Sequence, residues 1–171
     1  SVERFRCRIP MPPSRAMAMA MRDSVTVSIA ALSRGVAREI PAVSREEAIT
    51  AAGKMLVASG YVDEGYVQGM LNREHDLSTY IGKGIAIPHG ENAVKDTIKK
   101  TGIVVCQYPE GVKFGDETAY LVIGIAGVGN DHLAILANIA TMVGDYTDEQ
   151  LEQLFKTKSA DELYHVFTKA D

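Results

Sequence analysis

The chain changes its hydrophobic period twice. From Ser44 onward, apolar residues recur at three- and four-residue steps (Ala48, Ile49, Ala52, Met55, Leu56), the repeat that lines one face of an α-helix. Ser44-Arg45-Glu46-Glu47 opens this run as a capping box, in which serine and glutamate satisfy each other's free backbone N–H groups, and Gly60 supplies a stop. A second run after Asp63 sets Tyr66, Val67, Met70 and Leu71 on one face, so the two segments predict a helical hairpin. The middle of the chain then turns to short apolar runs rich in β-branched residues: 84–88, 101–108 and 119–128. Bounded by glycine, proline and charged clusters, they predict buried strands, with Pro109-Glu110-Gly111 as a turn between two of them. The last third returns to helix. Leu133, Ile135, Leu136, Ile139, Ala140 and Val143 form a broad apolar face over 131–143, and capping boxes at Thr147–Gln150 and Ser159–Glu162 open two short helices.

This order predicts an α/β fold, a single compact domain over 41–171 in which a central sheet is covered by helices. Because strands and helices are not strictly interleaved, a mixed β-sheet flanked by helices is expected rather than an all-parallel one.

Charge separates the ends. Residues 1–40 contain seven arginines, no lysine and three acids, a net +4, while residues 41–171 sum to −8 and the whole chain to −4. The acidic domain argues against a nucleic-acid binder, which normally carries a basic excess. The basic segment 1–40, with Pro-Met-Pro-Pro and an Ala-Met repeat, suits a leader or linker, partly disordered, whether native tail, transit peptide or cloning remnant. No apolar run approaches the roughly 18 residues that span a bilayer, and the longest, Leu121–Val128, suits a buried strand. Two cysteines, Cys7 and the strand-type Cys106, make no disulfide framework, which favours a reducing, cytoplasmic setting.

Four histidines carry the candidate chemistry: His75, His89, His132 and His165. His89 stands apart. A buried-type strand, Ile85-Ala86-Ile87, runs into Pro88, which ends the ladder, then His89, then Gly90, which permits close backbone approach. A titratable ring is thereby held at a strand end, where α/β sheets bind ligands; on spacing alone a turn-capping histidine fits equally well. His132 falls near the start of a helix, where the dipole favours an anion. Arg73 reads on its own as a surface helix arginine beside Glu74 and Asp76. His89 and His132 lack a neighbouring cysteine or carboxylate to complete a zinc set.

Gly82-Lys83-Gly84-Ile85-Ala86-Ile87-Pro88-His89-Gly90 resembles the active-site segment of enzyme IIA domains of the sugar phosphotransferase system, mannitol/fructose type. The block from Lys100 through Cys106-Gln107-Tyr108-Pro109-Glu110-Gly111 to Gly115, and Leu121–Ala126 followed by His132, are similar to its mannitol branch. The likeness runs from about Ile40 to the C-terminus.

The resemblance implies that His89 is the phosphorylated nucleophile, accepting a phosphoryl group from phospho-HPr on the ring nitrogen remote from the backbone. The group then passes to a cysteine of a IIB domain for mannitol (hexitol) uptake. It implies His132 as a hydrogen-bond donor to the phosphoryl group, and Arg73, sixteen positions before His89, as its charge stabiliser. No metal or organic cofactor, no nucleic acid and no direct membrane insertion are implied. His75 and His165 match no functional position and are left to solvent. A nitrogen-related regulatory IIA protein, signalling through its phosphorylation state, is the alternative, although the Cys106–Gly111 block favours the mannitol branch. Docking of two protein partners in turn calls for an apolar, nearly flat rim, expected from Ile85, Ile87 and neighbouring loops.

Overall fold

The computed structural model describes residues 25–29 and 44–157, with 159, 162 and 166 beyond them. The helical hairpin forms as its sequence dictates. Helix α1 (Arg45–Ala58) begins where the Ser44 hydroxyl accepts the Glu47 N–H. It ends in a Schellman cap, with the Tyr61 N–H on the Leu56 carbonyl, the Gly60 N–H on the Val57 carbonyl, and Gly60 at φ +79°. Helix α2 (Gly65–Asp76) follows, burying Tyr66, Gly69, Met70 and Glu74.

Five strands form one sheet, β1 (Val25–Ile29), β2 (Tyr80–Gly82), β3 (Ile85–Ala86), β4 (Gly102–Phe114) and β5 (Glu117–Ala126), in the order β1-β4-β5-β3-β2. The β1/β4 and β3/β5 pairs are parallel, β2/β3 and β4/β5 antiparallel, so the sheet is mixed, as the uneven interleaving predicted. Helices α3 (Asp131–Asp145) and α4 (Asp148–Lys156) complete the described domain. The Thr147–Gln150 capping box is present in both directions. At Ser159 only the serine half is seen, on the Glu162 N–H, and the helix it would open lies mostly outside the described residues.

Period-two alternation divides the core into two layers. Ile85, Ile87, Ile103, Val105, Leu121, Ile123 and Ile125 point to one face and pack with Ile135, Ile139, Leu151 and Phe155 from α3 and α4. Ala86, Val104, Cys106, Val122 and Ala126 point to the other and meet Ile49, Ala52, Leu56, Tyr66 and Met70 from α1 and α2. Strands buried on both faces read as continuous apolar runs, which is why 101–108 and 119–128 look as they do.

Three expectations change. Pro109-Glu110-Gly111 is not the turn: β4 continues through it and the hairpin closes at Gly115-Asp116. Between the pairs Gln107↔Leu121 and Val112↔Ala119 the two strands advance unequally, a bulge that leaves Pro109 outside the ladder, where its missing N–H costs nothing. Val25–Ile29, inside the segment read as leader or linker, supplies the edge strand beside β4; the rest of residues 1–40 lies outside the described residues. Ile85 and Ile87 do not frame a rim, being buried against α3 and α4.

Candidate functional site

Strand β3 is only two residues long, but its line continues. The Ile125 N–H donates to the Pro88 carbonyl at 3.0 Å, and His89 bridges Ile125 in parallel. Pro88 therefore delivers His89 to the end of the sheet, still tied to β5. Tyr66 fixes the spot from α2. Its hydroxyl donates to the Ile125 carbonyl at 2.5 Å and accepts the Gly90 N–H at 2.8 Å. Burial pushes the Tyr66 phenol up to about 12, only partly offset by the Gly90 N–H, so it stays a neutral clamp. Gly90 is required by that clamp: a Cβ there would sit 2.4 Å from Tyr66 Cε2 and 2.8 Å from Val94 Cγ2.

The His89 ring is oriented by its own strand. Nδ1 lies 2.8 Å from the Ile87 carbonyl. A carbonyl only accepts, so Nδ1 carries the hydrogen and Nε2 holds the free lone pair. Burial holds the His89 pKa below its ordinary value, and the charges of Arg73 and His132 push the same way, against the Ile87 carbonyl and the Glu74 carboxylate. Near pH 7 the ring is neutral and nucleophilic at Nε2.

His89 lines a cleft of about 460 Å³ that it shares with Tyr66, Arg73, Gly90, Lys95 and His132. All three residues singled out in the sequence thus meet in one place, although each comes from a different element. Arg73, in the last turn of α2, donates from Nη1 to the Leu77 carbonyl at 2.6 Å. It does not pair with Glu74, whose carboxylate is buried and accepts instead from the Thr79 N–H at 2.9 Å and the Thr79 hydroxyl at 2.5 Å. His132 stands in the first turn of α3, and its Nδ1 is buried without a hydrogen-bond partner. The turn before this helix is tied down by Thr101, whose hydroxyl donates to Asp131 Oδ2 at 2.6 Å and accepts the Val128 N–H at 3.0 Å. His75 is exposed on α2, away from the cleft lining, and His165 lies outside the described residues.

Tyr66 and Glu74 escaped the sequence reading as site residues. Both carried a signal: with Met70 they form an i, i+4, i+8 row on the buried face of α2, where a phenol or carboxylate needs a polar partner. Exposed apolar side chains stand close in the chain to cleft residues: Leu77 (67% exposed) follows Asp76, Val128 (45%) follows Gly127 and Leu133 (57%) follows His132. Ile85 and Ile87, by contrast, are buried.

A neutral imidazole with one free nitrogen, beside a guanidinium, a second imidazole and a helix N-terminus, is equipped to accept and hold an anionic group. Comparison with known proteins agrees with that chemistry. Residues 33–170 match the family described as phosphoenolpyruvate-dependent sugar phosphotransferase system, EIIA 2, and the chain belongs to that family. It is 48% identical over 131 residues to the PTS system mannitol-specific EIICBA component of Klebsiella pneumoniae, covering 75% of this chain but 20% of that protein's length. It is 43% identical over 129 residues to the mannitol-specific phosphotransferase enzyme IIA component of Bacillus subtilis, covering 75% of this chain and 89% of that one. Among solved structures it is similar to enzyme IIAMtl of Escherichia coli, determined in complex with phosphorylated enzyme IIBMtl: TM-score 0.69, 45% identity, 74% of this chain and 88% of that one.

Proposed function

We propose that this chain is the phosphocarrier of a mannitol-type sugar phosphotransferase system, working in the cytoplasm between two protein partners. His89 Nε2 accepts the phosphoryl group from phospho-HPr and passes it to a cysteine thiolate of a IIB domain; the sugar is met only by the permease. The observation that carries this reading is the His89 ring itself, pinned through Nδ1 to the Ile87 carbonyl and open through Nε2 to the cleft that Arg73 and His132 share. Relatives of the same family named as mannitol-specific IIA, and the IIAMtl pairing with phosphorylated IIBMtl, support the choice of sugar class and acceptor.

Phosphoryl transfer asks a protein for in-line positioning and charge stabilisation rather than covalent chemistry. Arg73 supplies a permanent charge with a planar fork for phosphoryl oxygens. His132 is the second hydrogen-bond donor to the phosphoryl group, backed by the first turn of α3. Leu77, Val128 and Leu133, exposed and next in the chain to cleft residues, suit transient docking of successive partners.

The test is incubation with phosphoenolpyruvate, enzyme I and HPr, followed by intact mass. One acid-labile phosphoryl group is expected, chased off by a purified mannitol IIB domain and lost in His89→Ala. Unchanged labelling of His89→Ala would refute the assignment.

A further inference from the structure

Glu74 is a charged group with no obvious surface purpose. It is 4% exposed, its Oε2 takes both donors of Thr79, and its Oε1 is buried with no hydrogen-bond partner. Burying a carboxylate is costly unless its charge is used. Thr79, so anchored, accepts the Ile87 N–H on its carbonyl at 3.0 Å. Ile87 in turn accepts His89 Nδ1–H on its own carbonyl at 2.8 Å. Three hydrogen-bonded steps thus connect the Glu74 carboxylate to the back of the nucleophilic ring.

The geometry points to Glu74 as a positioning residue for His89, which anchors the carbonyl that holds Nδ1–H and supplies the counter-charge for the ring when Nε2 is phosphorylated. This rests on reading His89 as the phosphoryl acceptor.

The need for a counter-charge follows from electron bookkeeping. The Nε2 lone pair forms the new N–P bond while the donor's bond to phosphorus breaks and its electron pair returns to the donor. No proton leaves Nδ1, because its only partner is a carbonyl, so the phosphorylated ring becomes cationic. Arg73 and His132 stabilise the phosphoryl oxygens but oppose that ring charge. Around His89 the titratable and charged groups are Tyr66, Arg73, Glu74 and Asp76 from α2, Glu91 and Lys95 from the segment after Gly90, and His132 from α3. Of the acidic ones, Glu74 alone acts on His89 to favour the cationic ring, and it does so from the protein interior, where screening is weakest. The arrangement divides labour, with cations on the phosphoryl side and an anion behind the ring.

The test is Glu74→Gln, which keeps an oxygen for the two Thr79 donors and removes only the charge. In 15N-histidine-labelled protein the His89 titration midpoint is expected to fall below that of the wild type, and phosphoryl transfer from phospho-HPr to slow by about tenfold. The direction separates charge from structure, since loosening of the fold would move the midpoint up toward the ordinary histidine value. Should Gln not be tolerated, Glu74→Asp and Glu74→Asn pose the same contrast at equal side-chain length, with the lower midpoint and slower transfer expected of Asn. An unchanged midpoint, or an unchanged rate, in the folded neutral variant overturns the role. A wild-type chain that takes no phosphoryl group at all overturns the phosphocarrier reading instead, while the titration still reports whether Glu74 acts on His89.

Discussion

Removing one oxygen atom, in Tyr66→Phe, is expected to cost this protein both stability and speed, and by separable amounts. The ring fills the same space, so no cavity opens. What is lost is the hydroxyl that accepts the Gly90 N–H at 2.8 Å and donates to the Ile125 carbonyl at 2.5 Å. A backbone N–H left without a partner in a partly buried site costs about 1–3 kcal/mol, and a lost net hydrogen bond about 1 kcal/mol. Relief of the phenol's own desolvation, visible in its pKa of about 12, offsets part of this. A net loss of about 2–3 kcal/mol follows, which for a domain of this size lowers Tm by about 6–12 °C. The same bonds tie Gly90, the residue after His89, to β5, so transfer from phospho-HPr should slow by about tenfold or more, because misplacing a nucleophile erodes in-line geometry. A stability control is Leu154→Ala on α4, a buried residue outside the cleft lining, expected to lose about 2–5 kcal/mol while transferring at the wild-type rate below its own Tm. If Tyr66→Phe and Leu154→Ala fall equally in Tm and neither slows, the clamp has no part in the site.

Other substitutions separate the roles further. Arg73→Gln should slow transfer well beyond any change in Tm, since its one hydrogen bond among the described residues is to an exposed turn carbonyl; equal loss of both in calorimetry and transfer assays would make it structural. Gly90→Ala should lower stability and slow labelling together, because its Cβ would press on the Tyr66 ring at 2.4 Å, and a variant with wild-type Tm and rate would refute that contact. Leu133→Asp should leave folding stability within about 0.5 kcal/mol of wild type and raise the KM for phospho-HPr, measured by initial rates. For pH, the folded His89 has a pKa below its ordinary value of 6.5, so the unfolded chain takes up the proton first. Its contribution to stability is complete above about pH 6.5 and is lost as pH falls from there through the lower folded value. Urea titrations of His89→Gln should therefore show a flatter stability profile across that window than the wild type.

Much of this fold was legible because its elements are locally consistent. The Ser44 N-cap and the Thr147 capping box sit where the helices begin, and the apolar runs of β4 and β5 are strands with both faces covered. The failures have physical causes. Pro109-Glu110-Gly111 carries every turn signal, yet the β4/β5 ladder closes around it, since a bulge satisfies the same backbone demands as a turn. Val25–Ile29 alternates as a strand should, but five residues among arginine, alanine and methionine acquire that meaning only by pairing with β4. Histidine, arginine and histidine were legible through family resemblance, not through spacing. Tyr66 went unseen because its partners are backbone groups from distant segments, and Glu74 because its partner Thr79 lies past the helix end, at a spacing no helical pattern reveals.

The placement of the site explains why those partners matter. His89 sits at the end of β3, between the two helical layers, and its neighbours come from both: Arg73, Tyr66 and Glu74 from the α1/α2 side, His132 from the α3 side. The layers pack on opposite faces of one sheet through separate apolar clusters, so neither holds the other directly near the cleft. What ties them there is the end of the central strand β5, where Ile125 donates its N–H to Pro88 and offers its carbonyl to Tyr66. Ile125 is thus the point where the strand carrying the nucleophile, the helix carrying the cation and the strand leading to the second histidine are joined. A substitution that shifts β5 by a few tenths of an ångström there, without touching any charged group, would move His89 relative to both helpers. Its effect on transfer would then exceed its effect on stability, which is how a preorganised site built on rigid elements differs from one assembled on loops.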